Sequence, residues 1–597
     1  MVATGSPMVA TPLRRLLAWP GAYLRAKTDR AGTEALAGVF VWTVWATTVV
    51  LSLALVLKYG SRLFKADDWA NLGLLCKGFG AMLPDLWALH CEHRIALPRL
   101  VSWLVLPLAG YDQRALMLLS VGLLATGAAV LLRAVAAVRG RADWTDAALP
   151  LLLAGLGHYE NFLWGFQIQF TLSTCLCCIV LAALLRHGSK PRSATLLTVG
   201  LAGMLLPLCG ANGLAFAVPV VLWLGFVSLQ RRSWLAGLAM LAAGSVVVAY
   251  LWGYRKPDFH PTTRDPVALA RTGLQFLANG LGGGALDPHA LTATGWPLLG
   301  VVVLGLFALG LTCAAVAVWQ MPRGRSVGLA LLGGGCLLLT AGVTYGRAAL
   351  PDGGTPARYA SIAVLVPVWV YVIVGVGLPK PLARLMQVGL CLLVVFVLWP
   401  NCTRAIEFGR HNRVTLQIAE AAIRSVPLKF VPDRVANTLW IWDQQYFHAA
   451  VETMAARRWG VFRHTPPTPA LKESRVTLTL VQAGECVPGD GVLAFTSPDG
   501  NHCWAIWQLD RPRRVRGLRL RYTLATDTPT HKGTSISWSS DPFGGGLQPT
   551  DQQVLFNQLP SGEREVLVWI DSPLEYLRVQ FHLGACQFTL HEAFVLE

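Results

Sequence analysis

The stretch "LAGVFVWTVWATTVVLSLALVL", residues 36–57, decides the fold class. It is an unbroken apolar run of bilayer length, because roughly 20 helical residues cross a hydrocarbon core. Arg14, Arg15, Arg25, Lys27 and Arg30 precede it. The run is too long for the apolar region of a cleaved signal, and no small-x-small site follows it. An uncleaved first span with a cytoplasmic N-terminus is therefore expected.

Comparable runs recur near 113–135, 145–163, 166–187, 193–210, 212–229, 234–253, 296–319, 326–346, 359–378 and 383–400. The shorter piece 97–110 reads as re-entrant or interfacial. Only 14% of the 597 residues are charged, where a soluble domain carries roughly 25%. Mean hydropathy is +0.49. The expected architecture is an α-helical polytopic membrane protein of about 11–13 transmembrane helices.

The net charge of +17 does not indicate nucleic acid. Its basic residues cluster in short loops between apolar runs, as positive-inside topology requires. "RAVAAVRGR", "RHGSKPR", "LQRRS", "MPRGR" and "LPKPLAR" are assigned to the cytoplasm. That places "HYENFLWGFQ", "LCGANG", residues 254–295, "GRAALPDGGTPARY" and everything past 400 outside together. The expected location is the inner (plasma) membrane with an extracytoplasmic C-terminal part, periplasmic in a Gram-negative cell. Cys175, Cys177 and Cys178 lie in an apolar run and read as small hydrophobes. Cys486, Cys503 and Cys586 allow at most one disulfide among themselves.

The domain boundaries follow. Residues 1–35 form a cytoplasmic segment, and 36–400 a transmembrane domain with external loops 58–96 and 254–295. Residues 401–473 read as a helical connector and 474–597 as a β-sandwich of the jelly-roll kind. In the last, Leu518, Leu520, Tyr522 and Leu524 alternate with Arg519 and Arg521, and Leu577, Val579, Phe581 and Leu583 alternate with polar residues. "REVLVWIDS" supplies another strand, and "SPDGN" and "DPFGGG" are turn signals.

Every polar–aromatic cluster falls on the external side. "KADDWANL", residues 65–72, sets Asp67 and Asp68 side by side just past the first span. Adjacent carboxylates repel and must stay hydrated or meet a cation. One could act as general base, or both could hold a divalent cation such as Mg or Mn; a helix N-cap explains one of them only. "LHCEHRIALPRL" contributes His90, Glu92, His93, Arg94 and Arg99. On a helix, His90 and His93 would share a face and suit a metal. No third ligand is fixed by spacing, so no metal ligands are assigned. Arg94 is the phosphate candidate there, oriented by Glu92.

"GHYENFLWGFQIQF" sets His158, Glu160, Asn161, Gln167 and Gln169 among aromatics, either an interfacial belt or a sugar site. Arg347, Asp352, Arg358 and Tyr359 lie in a late external loop, where Arg347 and Arg358 suit a lipid-linked phosphate and Arg358 also suits headgroup snorkelling. The loop 254–295 has the length of a lid. No P-loop, GxSxG or HExxH pattern supports another enzyme class.

This layout resembles the GT-C glycosyltransferases: a first span, an acidic pair on the first external loop, many spans, and a late external loop bearing arginines. The resemblance spans residues 36–400 in layout and a handful of residues in motif. It implies transfer of a sugar from a polyprenyl-phosphate carrier to a glycan or lipid acceptor outside the membrane. It further implies that Asp67 or Asp68 is the base or metal-holding group, and that Arg358 with Tyr359 meets the carrier phosphate. In some members a β-sandwich after the last span binds carbohydrate. A lipid-linked glycan transporter and a polysaccharide-binding envelope protein are the competing readings. The former usually needs polar groups deep in several spans, and the latter leaves so many spans unexplained.

Overall fold

The computed structural model describes residues 11–597 apart from 256, 258–259, 287–296, 321–322, 351, 442–443, 485, 489–491, 496–502, 526–533, 541–551, 556–560 and 582–585. The turn signals at 497–501 and 541–546 lie outside the described residues, as does Leu583. The chain forms two compact units. The first comprises residues up to Gly60, Lys77–Trp103 and Arg114–Gly409; the second comprises Ser61–Cys76, Leu104–Gln113 and Arg410–Glu597.

Among the described residues nine helices are long and apolar enough to cross a membrane, with shorter apolar helices at Ala96–Leu108 and Ser193–Cys209. The chain is a multi-pass membrane protein. Its spans differ in enclosure. Gly165–His187 is 78% buried and Ala357–Gly377 is 83% buried, whereas Trp234–Leu251 is only 17% buried and presents its side chains outward. The first two are therefore the inner spans of their unit. Trp223 and Trp369 fill its core, each donating its indole N–H to a backbone carbonyl, Gly324 at 2.7 Å and Leu329 at 2.8 Å. Such a bond removes the cost of an unpaired buried donor.

Two expectations are corrected, the continuous span at 145–163 and the helical placing of His90 and His93. The span placed at 145–163 is broken into Ala148–Ala154, a 3-10 turn Leu156–His158 and Tyr159–Phe162. The break is at Gly155, which is extended (φ −73°, ψ 165°), and a Cβ there would stand 2.2 Å from the Leu151 carbonyl oxygen. Loop 254–295 holds a helix, Pro266–Asn279, with Asp265 accepting from Val267 and Ala268 N–H as N-cap. The "HCEHR" segment is a two-strand hairpin, β1 (Leu89–His90) and β2 (His93–Arg94), so His90 and His93 are cross-strand partners and share no helix face. The 13-residue helix Ala96–Leu108 is roughly 20 Å long, too short to span alone.

In the second unit the sheet is wholly antiparallel. Its strands are β3 (Glu473–Val476), β4 (Leu478–Gly484), β5 (Cys486–Pro488), β6 (Leu493–Phe495), β7 (Trp504–Ala525), β8 (Thr534–Ser539), β9 (Gln552–Leu555), β10 (Ser561–Phe581) and β11 (Cys586–Leu596). The order is β5-β6-β11-β7-β10-β8-β9, with β3 on β11 and β4 on β7. Two very long strands, β7 and β10, pair along their length and turn a corner at register shifts between Trp569 and Ser572 and between Leu574 and Tyr576. Pro512, Pro573 and Asp571 (φ 48°) mark that corner, as bulges and strand prolines do. On one side of it β7 and β10 carry β4, β8 and β9; on the other they carry β11 with β3, β5 and β6. Trp507, Ile536, Trp538, Leu577 and Val579 from the first half and Leu518, Leu520, Tyr522, Leu524, Val568 and Phe588 from the second share one core.

A helical segment packs on this sheet within the same unit. Phe430 meets Trp569 at 5.1 Å, and a Cβ on Gly517 would approach Phe430 to 2.8 Å, so glycine is what lets the ring lie on the strand. Buried Asp433 accepts from Leu567 N–H on β10 at 2.9 Å and pairs with His448 Nε2 at 2.9 Å. The bond to Asp433 holds the His448 imidazole above its ordinary value, against the opposing effect of burial. A raised histidine stabilises most below its ordinary value, roughly 6.5, and the benefit is lost as pH rises through the higher folded value. Melting temperature is therefore expected to fall between pH 6 and 9, and a scan of His448→Gln should lack that component. With His448 37% exposed, the effect is a modest one.

Candidate active site

Glu92 is the hub of the first unit's charged site. It occupies the tip of the β1–β2 hairpin, beside Cys91 at a positive φ of 50°. Arg347 Nη2 donates to its Oε1 at 2.6 Å, His260 Nδ1 lies 2.5 Å from Oε2, and His93 Nε2 lies 3.4 Å from Oε1. Burial acts to raise the Glu92 carboxyl, but His93, Arg347 and His260 together outweigh it and hold the group below the usual carboxylate range. Burial pushes the His93 imidazole down to about 4 despite Glu92, so it is neutral near pH 7. Its Nδ1 is buried without a hydrogen-bond partner.

Arg94, expected to meet phosphate, has other partners. Its guanidinium donates to the carbonyls of Trp87 (2.6 Å), Tyr250 (3.1 Å) and Trp252 (2.7 Å), and the residue is buried. Arg99 likewise donates to the Asp85 and Ala88 carbonyls. Both arginines close the C-terminal ends of helices, where backbone carbonyls otherwise lack donors. Arg94 thereby fixes the hairpin that carries Glu92.

A second charged group stands at the entrances of the two inner spans. Arg358 Nη1 donates to Glu160 Oε1 at 3.1 Å, the Arg358 backbone N–H donates to Oε2 at 2.8 Å, and Asn161 Nδ2 donates to the Arg358 carbonyl at 3.0 Å. The Arg358 guanidinium also lies 5.6 Å from the Tyr359 ring, which is buried near Phe170 and Phe276. Gln167 and Gln169, at the start of the other inner span, are buried with side-chain oxygens that have no partner among the described residues, as is Asn161 Oδ1. Asp352 is exposed. Close to the same span ends, His158 Nδ1 meets Ser361 Oγ at 3.1 Å and its Nε2 meets the Leu152 carbonyl at 2.7 Å.

The structure thus joins Glu92, His93 and Arg347 in one cluster and Glu160, Asn161, Arg358 and Tyr359 in another. His260, a full member of the first, was missed in the sequence. Nothing in its spacing marks it, since Glu92 is reached only through the fold.

Asp67 and Asp68 belong to the second unit, in the 3-10 turn Ala66–Asn71. Asp68 is 3% exposed, and its Oδ2 accepts from Lys65 N–H at 3.0 Å, the reach-back bond of a capping box. Asp67 is half-exposed. The turn is firmly held: Trp69 packs on Phe64, Phe447 and Phe462, its carbonyl accepts from Tyr446 Oη at 2.9 Å, and Ala66 N–H donates to the Leu439 carbonyl at 2.7 Å. Among the described residues no three His, Cys, Asp or Glu side chains group to hold a metal ion. One Asp68 oxygen is bonded to the backbone, which leaves its other oxygen and the half-exposed Asp67 carboxylate as the groups that would meet a cation.

The fold and these sites define a multi-pass membrane protein with charged groups gathered at its inner span ends and an antiparallel sheet domain. No protein-family model matches the chain, and no curated protein matches it. It is similar to solved structures of two mycobacterial enzymes. One is the arabinofuranosyltransferase AftD from Mycobacteria, at 13% identity over 92% of this chain, with a TM-score of 0.27. The other is the arabinosyltransferase EmbB from Mycobacterium smegmatis, at 12% identity over 93% of this chain, with a TM-score of 0.29. The chain spans 58% and 64% of those two structures. A xylan binding module, CBM86 of Roseburia intestinalis, aligns with 22% of this chain over 97% of its own length, at 12% identity and a TM-score of 0.16. At TM-scores this low, neither fold nor activity is inferred from them; both rest on the chain's own residues.

Proposed function

We propose that the chain is an integral-membrane glycosyltransferase that moves a sugar from a polyprenyl-phosphate carrier to an extracytoplasmic glycan or lipid acceptor. One observation carries the reading: at the starts of the two most enclosed spans of a lipid-embedded unit stand an arginine bound to a carboxylate and buried amide oxygens that have no partner among the described residues. Membrane interiors tolerate such groups at a cost, so they point to a polar ligand there. Arg358 and Arg347 are the cations for the carrier phosphate, with Glu160 and Glu92 fixing their geometry. The amide oxygens of Asn161, Gln167 and Gln169 suit sugar hydroxyls. Asp67 is the base: it takes the acceptor hydroxyl proton as the new bond to the anomeric carbon forms and the carbon–phosphate oxygen bond breaks. The lipid phosphate departs with the electron pair. The N-terminus would be cytoplasmic and the sheet domain extracytoplasmic.

Transfer of a radiolabelled sugar from polyprenyl-phosphate donors, in membranes containing the protein, tests this, with and without chelator. Saturable lipid binding without transfer from any donor would favour the transporter instead.

The sheet domain is assigned the glycan acceptor. On the half carrying β4 and β8, Trp504, Gln508, Tyr576, Arg578 and Gln580 share one face through the pairs Gln508–Tyr576 and Trp504–Gln580, opposite the core face of Trp507 and Leu577. Arg578 lies 5.3 Å from the Trp504 ring and donates to Gln580 Oε1 at 2.9 Å, while Gln508 Nε2 donates to Tyr576 Oη at 3.1 Å. A ring flanked by amides and a guanidinium stacks on a sugar and bonds its hydroxyls. Trp504→Ala is expected to weaken glycan binding about tenfold or more on a glycan array, with the sheet still folded.

A further inference from the structure

The geometry points to a phosphate-binding site in the second unit, built from Arg62, Arg424 and Arg463 and not used by the proposed transfer. A cavity of about 210 Å³ is lined by these three residues with Asp112, Gly460 and His464. Four chain segments meet there. Arg62 lies in the segment leading to the 3-10 turn, Asp112 follows the helix Ala96–Leu108, and Arg424 is in the last turn of helix Leu398–Ser425. Gly460 and Arg463 come from the 3-10 turn Gly460–His464.

The turns are locked together by a stacked pair: Tyr111 lies on Trp459 at 3.8 Å and 17°. Gly460, at φ 52°, sits where a Cβ would be 3.5 Å from the Tyr111 carbonyl oxygen. Each guanidinium is then oriented by a hydrogen bond or an ion pair. Arg62 Nε lies 3.6 Å from Asp112, Arg424 Nη2 donates to Glu420 at 2.7 Å, and Arg463 Nε donates to the Gly460 carbonyl at 2.9 Å. Such preorganisation lowers the cost of binding. Three guanidinium groups stand against two carboxylates, Asp112 in the lining and Glu420 bound to Arg424, which leaves a cationic excess. A phosphate, as monoester or diester, meets that excess, and guanidinium forks match its oxygens. Leu104 and Leu108, 51% and 91% exposed, lie on the helix just before the lining turn. They give the site an apolar shoulder, so the phosphate's source is either a lipid headgroup or a soluble or glycan-borne ester.

The test uses the purified full-length protein. Glycerol 1-phosphate is titrated by calorimetry, and in parallel the protein is held in phosphatidylcholine nanodiscs with or without phosphatidylglycerol, bound lipid being counted by native mass spectrometry. Saturable binding of at least one probe is expected, weakening about tenfold or more in Arg424→Gln and in Arg463→Gln and recovering in part in Arg424→Lys. Binding of the soluble ester alone assigns the source to soluble or glycan phosphate, and retention of phosphatidylglycerol assigns it to the lipid. No saturable binding of either probe, or equal binding by the double glutamine variant, overturns the proposal. Arg424 is 43% exposed and Arg463 is also exposed, so unchanged melting curves are expected to accompany the loss. Sugar transfer is not read, so the result stands apart from the proposed activity.

Discussion

Asp67→Asn is expected to lower sugar transfer by about 10²–10⁴-fold, the usual contribution of a positioned general base, with no change in melting temperature. The two neighbours separate on physical grounds. Asp68 is buried and its oxygen closes the Lys65 N–H, so Asp68→Asn should keep a weakened cap and Asp68→Ala should cost about 1 kcal/mol or more of stability. Asp67 is more exposed and sits on a turn that Trp69 holds by its aromatic neighbours, which is how a scaffold keeps a reacting group in place without burying it. Parallel measurement of transfer and of thermal unfolding decides the assignment. Activity lost with unchanged melting in Asp67→Asn supports it. The same pattern in Asp68→Asn exchanges the two roles, and full activity in both removes the acid pair from the mechanism.

The alternating strands were readable because one face of each is buried, and the inner spans because they are apolar all round. Leu518, Leu520, Tyr522 and Leu524 are buried, while Arg519 and Arg521 point out to pair with Glu565, Glu563 and Glu592. Local periodicity could not show that β7 and β10 are each one long strand turning a corner, because prolines and a bulge there look like loop signals. The hairpin at Glu92 was hidden in the same way, since its turn depends on Cys91 adopting a positive φ that cysteine rarely takes. Partner choice was hidden most. Arg94 was a reasonable phosphate ligand by charge and place, yet its partners Tyr250 and Trp252 are 156 and 158 positions away. Arg347, by contrast, reached Glu92 across 255 positions and kept a charged role. Residue type gave the chemistry available; only the fold says which arginine closes carbonyls.

Asp146→Ala is expected to destabilise the first unit by about 3 kcal/mol, because it removes the buried partner of a partly buried cation and of Tyr371. Asp146 is 1% exposed and accepts two bonds from Arg139 Nη1, both at 2.9 Å. It also accepts from Tyr371 Oη at 2.6 Å and from Asp143 N–H at 2.8 Å. One carboxylate thus ties the end of the span Arg114–Arg139 to the inner span Ala357–Gly377. A charged pair between spans is a functional candidate by default, so the prediction needs a control that separates structure from chemistry. Asp146→Leu with Arg139→Met removes both charges and should recover much of the loss, since replacing a whole buried pair by apolar groups is often near neutral. Melting of the detergent-solubilised protein gives the stability, and transfer per folded molecule gives the activity. Recovery of melting in the double variant with full transfer per folded molecule makes the pair a clamp between spans. Recovery of melting without transfer would instead show that this charged pair holds the spans in the arrangement that transfer requires.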